Sequence, residues 1–267
     1  MNAPGRLPGH SDGTVGKAMD VLDAVAAAGE PVRFSQLLAT GRWPKATLYR
    51  LMQTLTSQGL LSHQDGSYTL GLRLIRLAHG AWQQASLAPI AQPFIDQLSA
   101  ELCETVHLAQ MDRGQVLYVD KRAAHNPIPM FSDAGKVGPS YCTGVGKAML
   151  AHLPEDELSA ALSRQAFHPH TAHTHTDANS LRAELAEIHK SGVSFDREEH
   201  EPTIICVAVP ILSRHGTPLG ALSVTSTTGR HSLAALARLA PALKSTAAQI
   251  AEAAQAWTFP QRDQATP

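Results

Sequence analysis

Apolar positions in the first third of the chain recur at helical spacing. Val15, Ala18, Met19, Leu22, Val25 and Ala26 fall on one side of a helix, with Thr14 as the expected cap and Gly29 and Pro31 as the stop. A shorter segment, SQLLAT, follows. Ser35 can cap it, Leu37 and Leu38 can face inward, and Gly41 ends it. Pro44 sits where a first helical turn tolerates proline, and beyond it Leu48, Leu51, Met52 and Leu55 form an i, i+3, i+4, i+7 stripe. Two short runs, LLSH and SYTL, then flank Gln64-Asp65-Gly66, where Asp-Gly supplies the positive φ angles of a tight hairpin. Three helices followed by a hairpin predict a winged helix-turn-helix over residues 11–73.

The next segment, GLRLIRLAHGAWQQA, continues helically with Leu72, Leu74, Ile75, Leu77, Ala78 and Trp82 on one broad apolar side, until Pro89 interrupts. It predicts a linker helix over 74–87, able either to pack on its own domain or to pair with a second chain. A further helical pattern runs through Ile90, Phe94, Ile95, Leu98 and Leu102. From there the period changes to two. TVHLAQM (105–111) and QVLYVDK (115–121) read as one hairpin, and IICVAVPI (204–211) and GALSVTS (220–226) as another. Helices are expected at Gly144–His152, Glu155–Leu162, Ala178–Lys190 and Ser232–Ala256. Residues 88–257 therefore predict a second, α+β domain with a largely antiparallel sheet.

Composition adds little until it is divided. The 267 residues are 43% hydrophobic, 17% charged and 5% aromatic, with a net charge of −1, which fits a folded protein and gives no overall sign of a polyanionic partner. Residues 31–79, however, hold Arg33, Arg42, Lys45, Arg50, Arg73 and Arg76 against the single acid Asp65, a local +5. The first 84 residues carry eight basic and five acidic side chains, the remainder fourteen and eighteen, so a +3 head is joined to a −4 body. This asymmetry directs attention to a nucleic-acid partner for the head alone.

On the third helix, a stripe centred between Leu51 and Met52 turns Ala46, Tyr49, Arg50 and Gln53 outward, flanked by Lys45 and Thr47. Arg can bind guanine edges or phosphate, Gln can pair with adenine, and Lys and Thr near a helix N-terminus meet phosphates. With Ser35 at the start of the second helix, these residues form the expected contact set for double-stranded DNA. In the body, CTGVGKAML (142–150) places Thr143, Gly144 and Gly146 before a helix, but it lacks the GxxxxGK[ST] spacing of a P-loop, so nucleotide hydrolysis is disfavoured.

These segments together resemble the IclR family of bacterial transcription regulators from about Val15 to Trp257. The resemblance is carried, in order, by GKAMDVLDAV, WPKATLYRLMQTLTSQGLL, YTLGLRLIRLA, ETVHLA, VLYVDK, CTGVGKAMLA, FDREEHEP, ICVAVP and ALSVTS. It implies a winged-helix domain joined by a helix to a GAF-like domain that binds a small effector, usually an organic or sugar acid. It also implies dimers or tetramers on a palindromic operator. Transferred position by position, the family's pocket becomes Gly144, Val145, Asp196, Ile204, Cys206, Ser223 and Thr225, with Tyr141 as a further wall candidate. Turn amides and hydroxyls would donate to a carboxylate, while Asp196 would accept from a ligand hydroxyl. One departure stands out. Many members have glycine two or three residues before the pocket cysteine, where this chain reads Glu201, Pro202, Thr203, Ile204, Ile205, Cys206, a bulkier turn; Val145 also replaces a common, smaller alanine.

Three cysteines, Cys103, Cys142 and Cys206, are widely spaced and suggest neither a disulfide framework nor a zinc site; Cys103 and Cys142 are expected in the core. There is no signal-peptide pattern and no apolar run of membrane-spanning length, so a cytoplasmic protein with no membrane association is expected. The remaining oddity is HPHTAHTHT, with His168, His170, His173 and His175 within eight residues. With His200, His107 or Asp196 nearby, these could ligate zinc or nickel, but a loop lacks the fixed face of a helical ligand pair, and solvated histidines are the expectation. No metal or other cofactor is assigned. A metal-assisted hydrolase built on this cluster and a constitutive architectural DNA-binding protein are the competing readings. No ordered nucleophile, base and oxyanion site supports the enzyme.

Overall fold

A computed structural model of the chain describes residues 13–124 and 127–255. The outer limits expected at residues 11 and 257, and Ala256 with them, lie outside the described residues. Two compact units divide between Gln83 and Gln84.

The first unit begins with α1 (Thr14–Ala28), which ends at Gly29 in the left-handed conformation, φ 68°. Thr14 is the first helical residue and Gly13 the cap. A two-residue strand, β1 (Val32–Arg33), then leads directly into α2 (Phe34–Ala39). Ser35 does not cap α2. The cap is Arg33, whose backbone N–H is met by Gln36 Oε1 at 2.6 Å, so Ser35 stands exposed inside the first turn. α3 (Lys45–Ser57) buries Leu48, Leu51, Met52 and Leu55, the expected stripe, against Val21, Leu22, Val25, Leu37 and Trp43. At about 1.5–3 kcal/mol for each large apolar side chain removed from water, that face alone outweighs the low helical preference of its Thr and Tyr residues.

The wing is β2 (Leu61–Gln64) and β3 (Ser67–Leu70), joined through Asp65 (φ 51°) and Gly66 (φ 74°), both in the left-handed region that an Asp-Gly turn permits. β1 adds to its edge, with Val32 opposite Tyr68, giving the order β1-β3-β2. Two residues are too few to show a period, which is why the sequence pattern misses β1. α4 (Leu72–Ala85) follows; Leu74 packs on the unit's core, while Leu72, Ile75 and Leu77 are exposed.

In the second unit α5 (Ala88–Leu102) carries Pro89 in its first turn, so this proline opens a helix. Cys103 closes the helix in the left-handed conformation (φ 55°) and is exposed, not in the core; Cys142 is fully buried. The sheet is formed by β4 (Thr105–Asp112), β5 (Gln115–Arg122), β6 (Val137–Gly138), β7 (Ser194–Arg197), β8 (Ile204–Leu212) and β9 (Pro218–Thr227). Its order is β6-β5-β4-β9-β8-β7, antiparallel throughout. The short β6 and β7 are additions to the two expected hairpins. Between them in sequence lie α6 (Gly144–Leu150), α7 (Glu155–Ser163) and α8 (Ala178–Ser191), and at the end α9 (Leu233–Ala237) and α10 (Ala240–Ala254). The single helix expected from Ser232 is thus two, because Pro241 cannot donate to a preceding turn and instead starts α10.

The sheet's period of two separates its faces. Val106, Leu108, Ile205, Val207, Val209, Ile211, Leu222 and Val224 pack with α5 and α10 in the largest core cluster. The alternate residues, among them Ala109, Ala208 and Ala221, turn toward α6, Val145 and Met149. Polar residues on this second face form the cavity described next.

Candidate effector cavity and DNA-reading face

Strand register aligns the cavity's side chains. Asp196 on β7 is opposite Cys206 on β8, Cys206 opposite Thr225 on β9, and Thr225 opposite Thr105 on β4. Two pairs further along, on the same face, Ser194, Ala208, Ser223 and His107 form a second row. α6 closes over these rows from its first turn. Gly144 lies so close to Cys206 that an added Cβ would run into Sγ, which explains why a glycine is needed there even though its backbone is ordinary helix. The first-turn amides of α6 have no intrahelical acceptors.

The result is a small cavity of about 30 Å³ lined by all seven residues carried over from the family pattern: Gly144, Val145, Asp196, Ile204, Cys206, Ser223 and Thr225. Thr143, His107, Tyr118, Ser132, His200 and Glu201 complete the wall. Of these, His107 was legible in principle, since the alternation of TVHLAQM sets it on the face of Thr105. Tyr118 was not, because a bulge after Leu108 shifts the register of the β4–β5 pair. Tyr141 is not a wall residue; its hydroxyl donates to the His168 carbonyl at 2.8 Å, and its ring packs beside Phe167.

Burial controls the charges. It pushes the Asp196 carboxyl up to about 8, aided by the nearby Glu199 carboxylate and opposed by the Glu199 N–H, which Asp196 Oδ1 accepts at 2.8 Å. Asp196 is therefore a carboxylic acid at neutral pH, able to donate as well as accept, where only an accepting role was expected. Burial, with the Lys121 ammonium, pulls His107 down to about 3, so it is a neutral ring held between Ser132 Oγ (2.9 Å from Nε2) and Thr225 Oγ1 (3.3 Å from Nδ1). Cys206 is raised by burial and remains a thiol.

Behind the cavity lies a fully buried cation. Lys147 Nζ is 2.5 Å from Glu199 Oε1 and 2.9 Å from Glu184 Oε1, and Glu184 also receives Arg197 at 2.7 Å. Burial opposes ionisation of Glu184, but Lys147, His175 and Arg197 together hold it down to about 2. His175 Nε2 lies 2.6 Å from Glu184 Oε2, so His175, Glu184 and Glu199 converge closely enough to share a metal ion, and the ammonium of Lys147 pairs with both carboxylates of that set. The histidine segment does not gather at one point. His170 packs beside His168 and His200, His173 is exposed, and His175 faces Glu184. Thr171 and Thr174 fix the loop by donating to the carbonyls of Glu198 and Glu199, each at 2.6 Å.

In the first unit, Lys45, Ala46, Tyr49, Arg50 and Gln53 stand exposed along α3, with Thr47 half-buried and Ser35 exposed on α2. The Tyr49 ring meets Phe34 edge-on at 6.3 Å, which sets its direction from the α2 side. No helix among the described residues is long and apolar enough to cross a membrane.

Helix-turn-helix head and cavity-bearing α+β body define a one-component sensor of the transcription-regulator class. Residues 14–65 match the IclR helix-turn-helix domain, and residues 79–252 match the C-terminal domain of the bacterial transcriptional regulator IclR. The chain belongs to the IclR family. It is 30% identical over 223 residues to the HTH-type transcriptional regulator KdgR of Escherichia coli, covering 82% of this chain and 85% of that protein. To the transcriptional repressor IclR of the same organism it is 28% identical over 218 residues, 80% of each. The crystal structure of Thermotoga maritima IclR superimposes with a TM-score of 0.72 at 29% identity, covering 90% of this chain and 97% of that one. The chain is thus a DNA-binding transcriptional regulator with a C-terminal domain of the effector-binding kind.

Proposed function

We propose that the cavity between α6 and strands β4, β7, β8 and β9 binds a small organic acid, and that its occupancy changes the grip of the α3 face on a palindromic operator. The observation that carries this reading is the convergence of seven residues from four separate sequence motifs on one enclosed, hydroxyl-rich cavity. Gly144, Val145, Asp196, Ile204, Cys206, Ser223 and Thr225 are its effector contacts, and Ser35, Lys45, Ala46, Thr47, Tyr49, Arg50 and Gln53 its DNA contacts. The working protein is a cytoplasmic homodimer or homotetramer with no catalytic activity, since two half-sites of a palindrome need two heads. Residues 11–73 serve as reader, 74–87 as linker and 88–257 as sensor.

A gel shift with DNA from upstream of its own gene tests the reader. Arg50→Ala is expected to weaken binding by about 1–3 kcal/mol and to relax preference at one base position; unchanged binding rejects the assigned face. Thermal shift with a panel of small organic acids tests the sensor, because a ligand that binds only the folded form must raise the melting temperature. A constitutive architectural protein would give no shift with any acid.

A further inference from the structure

We infer that Glu201 selects the effector's chemical class: a small carboxylic acid bearing a hydrogen-bond donor, a hydroxyl or an amino group, in preference to a plain carboxylate of equal size. This rests on the cavity's being the effector site and adds the ligand's chemistry to that reading.

Among the described residues lining the cavity there is no lysine or arginine, but there are two acids. Asp196 is protonated at neutral pH and His107 is neutral, so neither puts a charge on the wall. Glu201 differs. Its burial opposes ionisation, yet His200 and the Phe131 N–H, 2.9 Å from Oε1, hold its carboxyl below the usual carboxylate range. The fixed charge of the wall is therefore negative and centred on the Glu201 carboxylate. Carboxylate oxygens have about four lone-pair sites between them, so the Phe131 bond leaves Glu201 able to accept from a ligand.

A carboxylate placed against Glu201 would meet like charge inside the wall, and the ammonium that faces Glu201, Lys136, lies outside the cavity lining, over the Phe131 ring at 5.0 Å. A hydroxyl or ammonium there would instead make a charge-assisted bond, the stronger kind in a site of low dielectric. The ligand's own carboxylate is then directed away from Glu201 and toward the lining groups that can donate, the Asp196 carboxylic acid and the Ser223 and Thr225 hydroxyls.

The turn that delivers Glu201 is built without the glycine common in this stretch of relatives. Thr203 adopts φ 67° and Glu198 φ 62°, conformations costly for side chains with a Cβ. They are pinned by the Thr203 N–H donating to Glu198 Oε2 at 2.8 Å. The chain thus retains a glycine-like backbone while presenting a long acid to the cavity.

Isothermal titration of the full-length protein with propionate, lactate, glycerate and β-alanine tests this, because the four share a three-carbon skeleton and differ in the donor. At least one of the three donor-bearing acids should bind about tenfold more tightly than propionate, and Glu201→Gln should remove most of that ratio. Glu201→Ala, which removes the carboxylate altogether, should do the same, with an unchanged far-UV circular dichroism spectrum in both variants as the control for folding. Equal affinity for propionate and its analogues, or a ratio untouched by both variants, overturns the inference and leaves the cavity an effector site. Absence of binding by all four, in protein that still binds operator DNA, overturns the inference, and the effector reading falls with it only if the wider panel of organic acids also gives no thermal shift.

Discussion

The residues assigned to DNA in the first unit and those lining the cavity in the second stand on opposite sides of the solvent boundary. Tyr49 is 56% exposed and Arg50 is exposed beside it, whereas Asp196, Cys206 and Ser223 are 6%, 5% and 3% exposed. On α3 the stripe that holds the fold and the face assigned to DNA share a helix but not a residue. In the body, the same strands carry both. Cys206 alternates with Ile205 and Val207, so a change in the cavity is also a change one side chain away from the main core. Reading chemistry can therefore be altered at little cost to stability, while sensing chemistry cannot, and each variant below measures how far that separation holds.

The largest effect belongs to Lys147. It is fully buried, and removing one partner of a buried ion pair leaves the other charge uncompensated, which typically costs about 3–5 kcal/mol. Lys147→Met keeps the length of the side chain and strands Glu199, whose second oxygen already has no hydrogen-bond partner among the described residues. Urea denaturation followed by a probe in the second unit should show the loss, and Glu199→Gln in the same protein should recover part of it. A loss below about 1 kcal/mol would mean that the cavity's back wall tolerates charge.

Asp196 gives a smaller, pH-dependent effect. Its folded value of about 8 lies above the unfolded value of an aspartate, about 4, so between these the folded form holds a proton that the unfolded form has released. Stability from this group is full below about pH 4, falls as pH rises toward 8, and is flat beyond; the limiting slope for one proton is about 1.4 kcal/mol per pH unit. Asp196→Asn should flatten that part of the curve between pH 5 and 8. Parallel curves for the two proteins would show that Asp196 is ionised in the folded state, and the cavity would then carry two negative charges.

Much of this arrangement can be read from the chain alone, and the exceptions have physical causes. The α3 stripe, the Asp-Gly wing turn and the two long hairpins are strong periodic signals over several residues, and the structure contains all of them. Short β1, β6 and β7 have no period to read. Helix caps went astray at Thr14 and Ser35 because a hydroxyl next to a helix start is only one way of meeting its free amides; in α2 Gln36 meets the Arg33 N–H instead. Cys103 was expected in the core from its residue type, yet it ends a helix at positive φ, a backbone requirement that composition does not reveal. The cavity's near wall follows from family motifs, but Glu201 and Ser132 reach it through tertiary contacts that no spacing encodes. Asp196 is in the expected place, but the proton that lets it donate as well as accept is not legible in the chain, because burial acts through residues distant in sequence.

The smallest expected change in stability is also the most direct test of the separation. Arg50→Ala removes an exposed side chain of α3 that is not part of the Leu51 and Met52 stripe and makes no hydrogen bond or ion pair with another described residue. Surface substitutions away from packing or caps stay within about 0.5 kcal/mol, and alanine's higher helix preference works in the variant's favour. Denaturation of the first unit should therefore be unchanged while operator affinity falls and the slope of log affinity against log salt drops by about one if the guanidinium meets a phosphate. If it meets a guanine edge instead, the salt slope changes less and the loss concentrates at one base pair. A destabilised first unit would show that Arg50 supports the fold after all, and that the head, like the body, uses the same residues for structure and function.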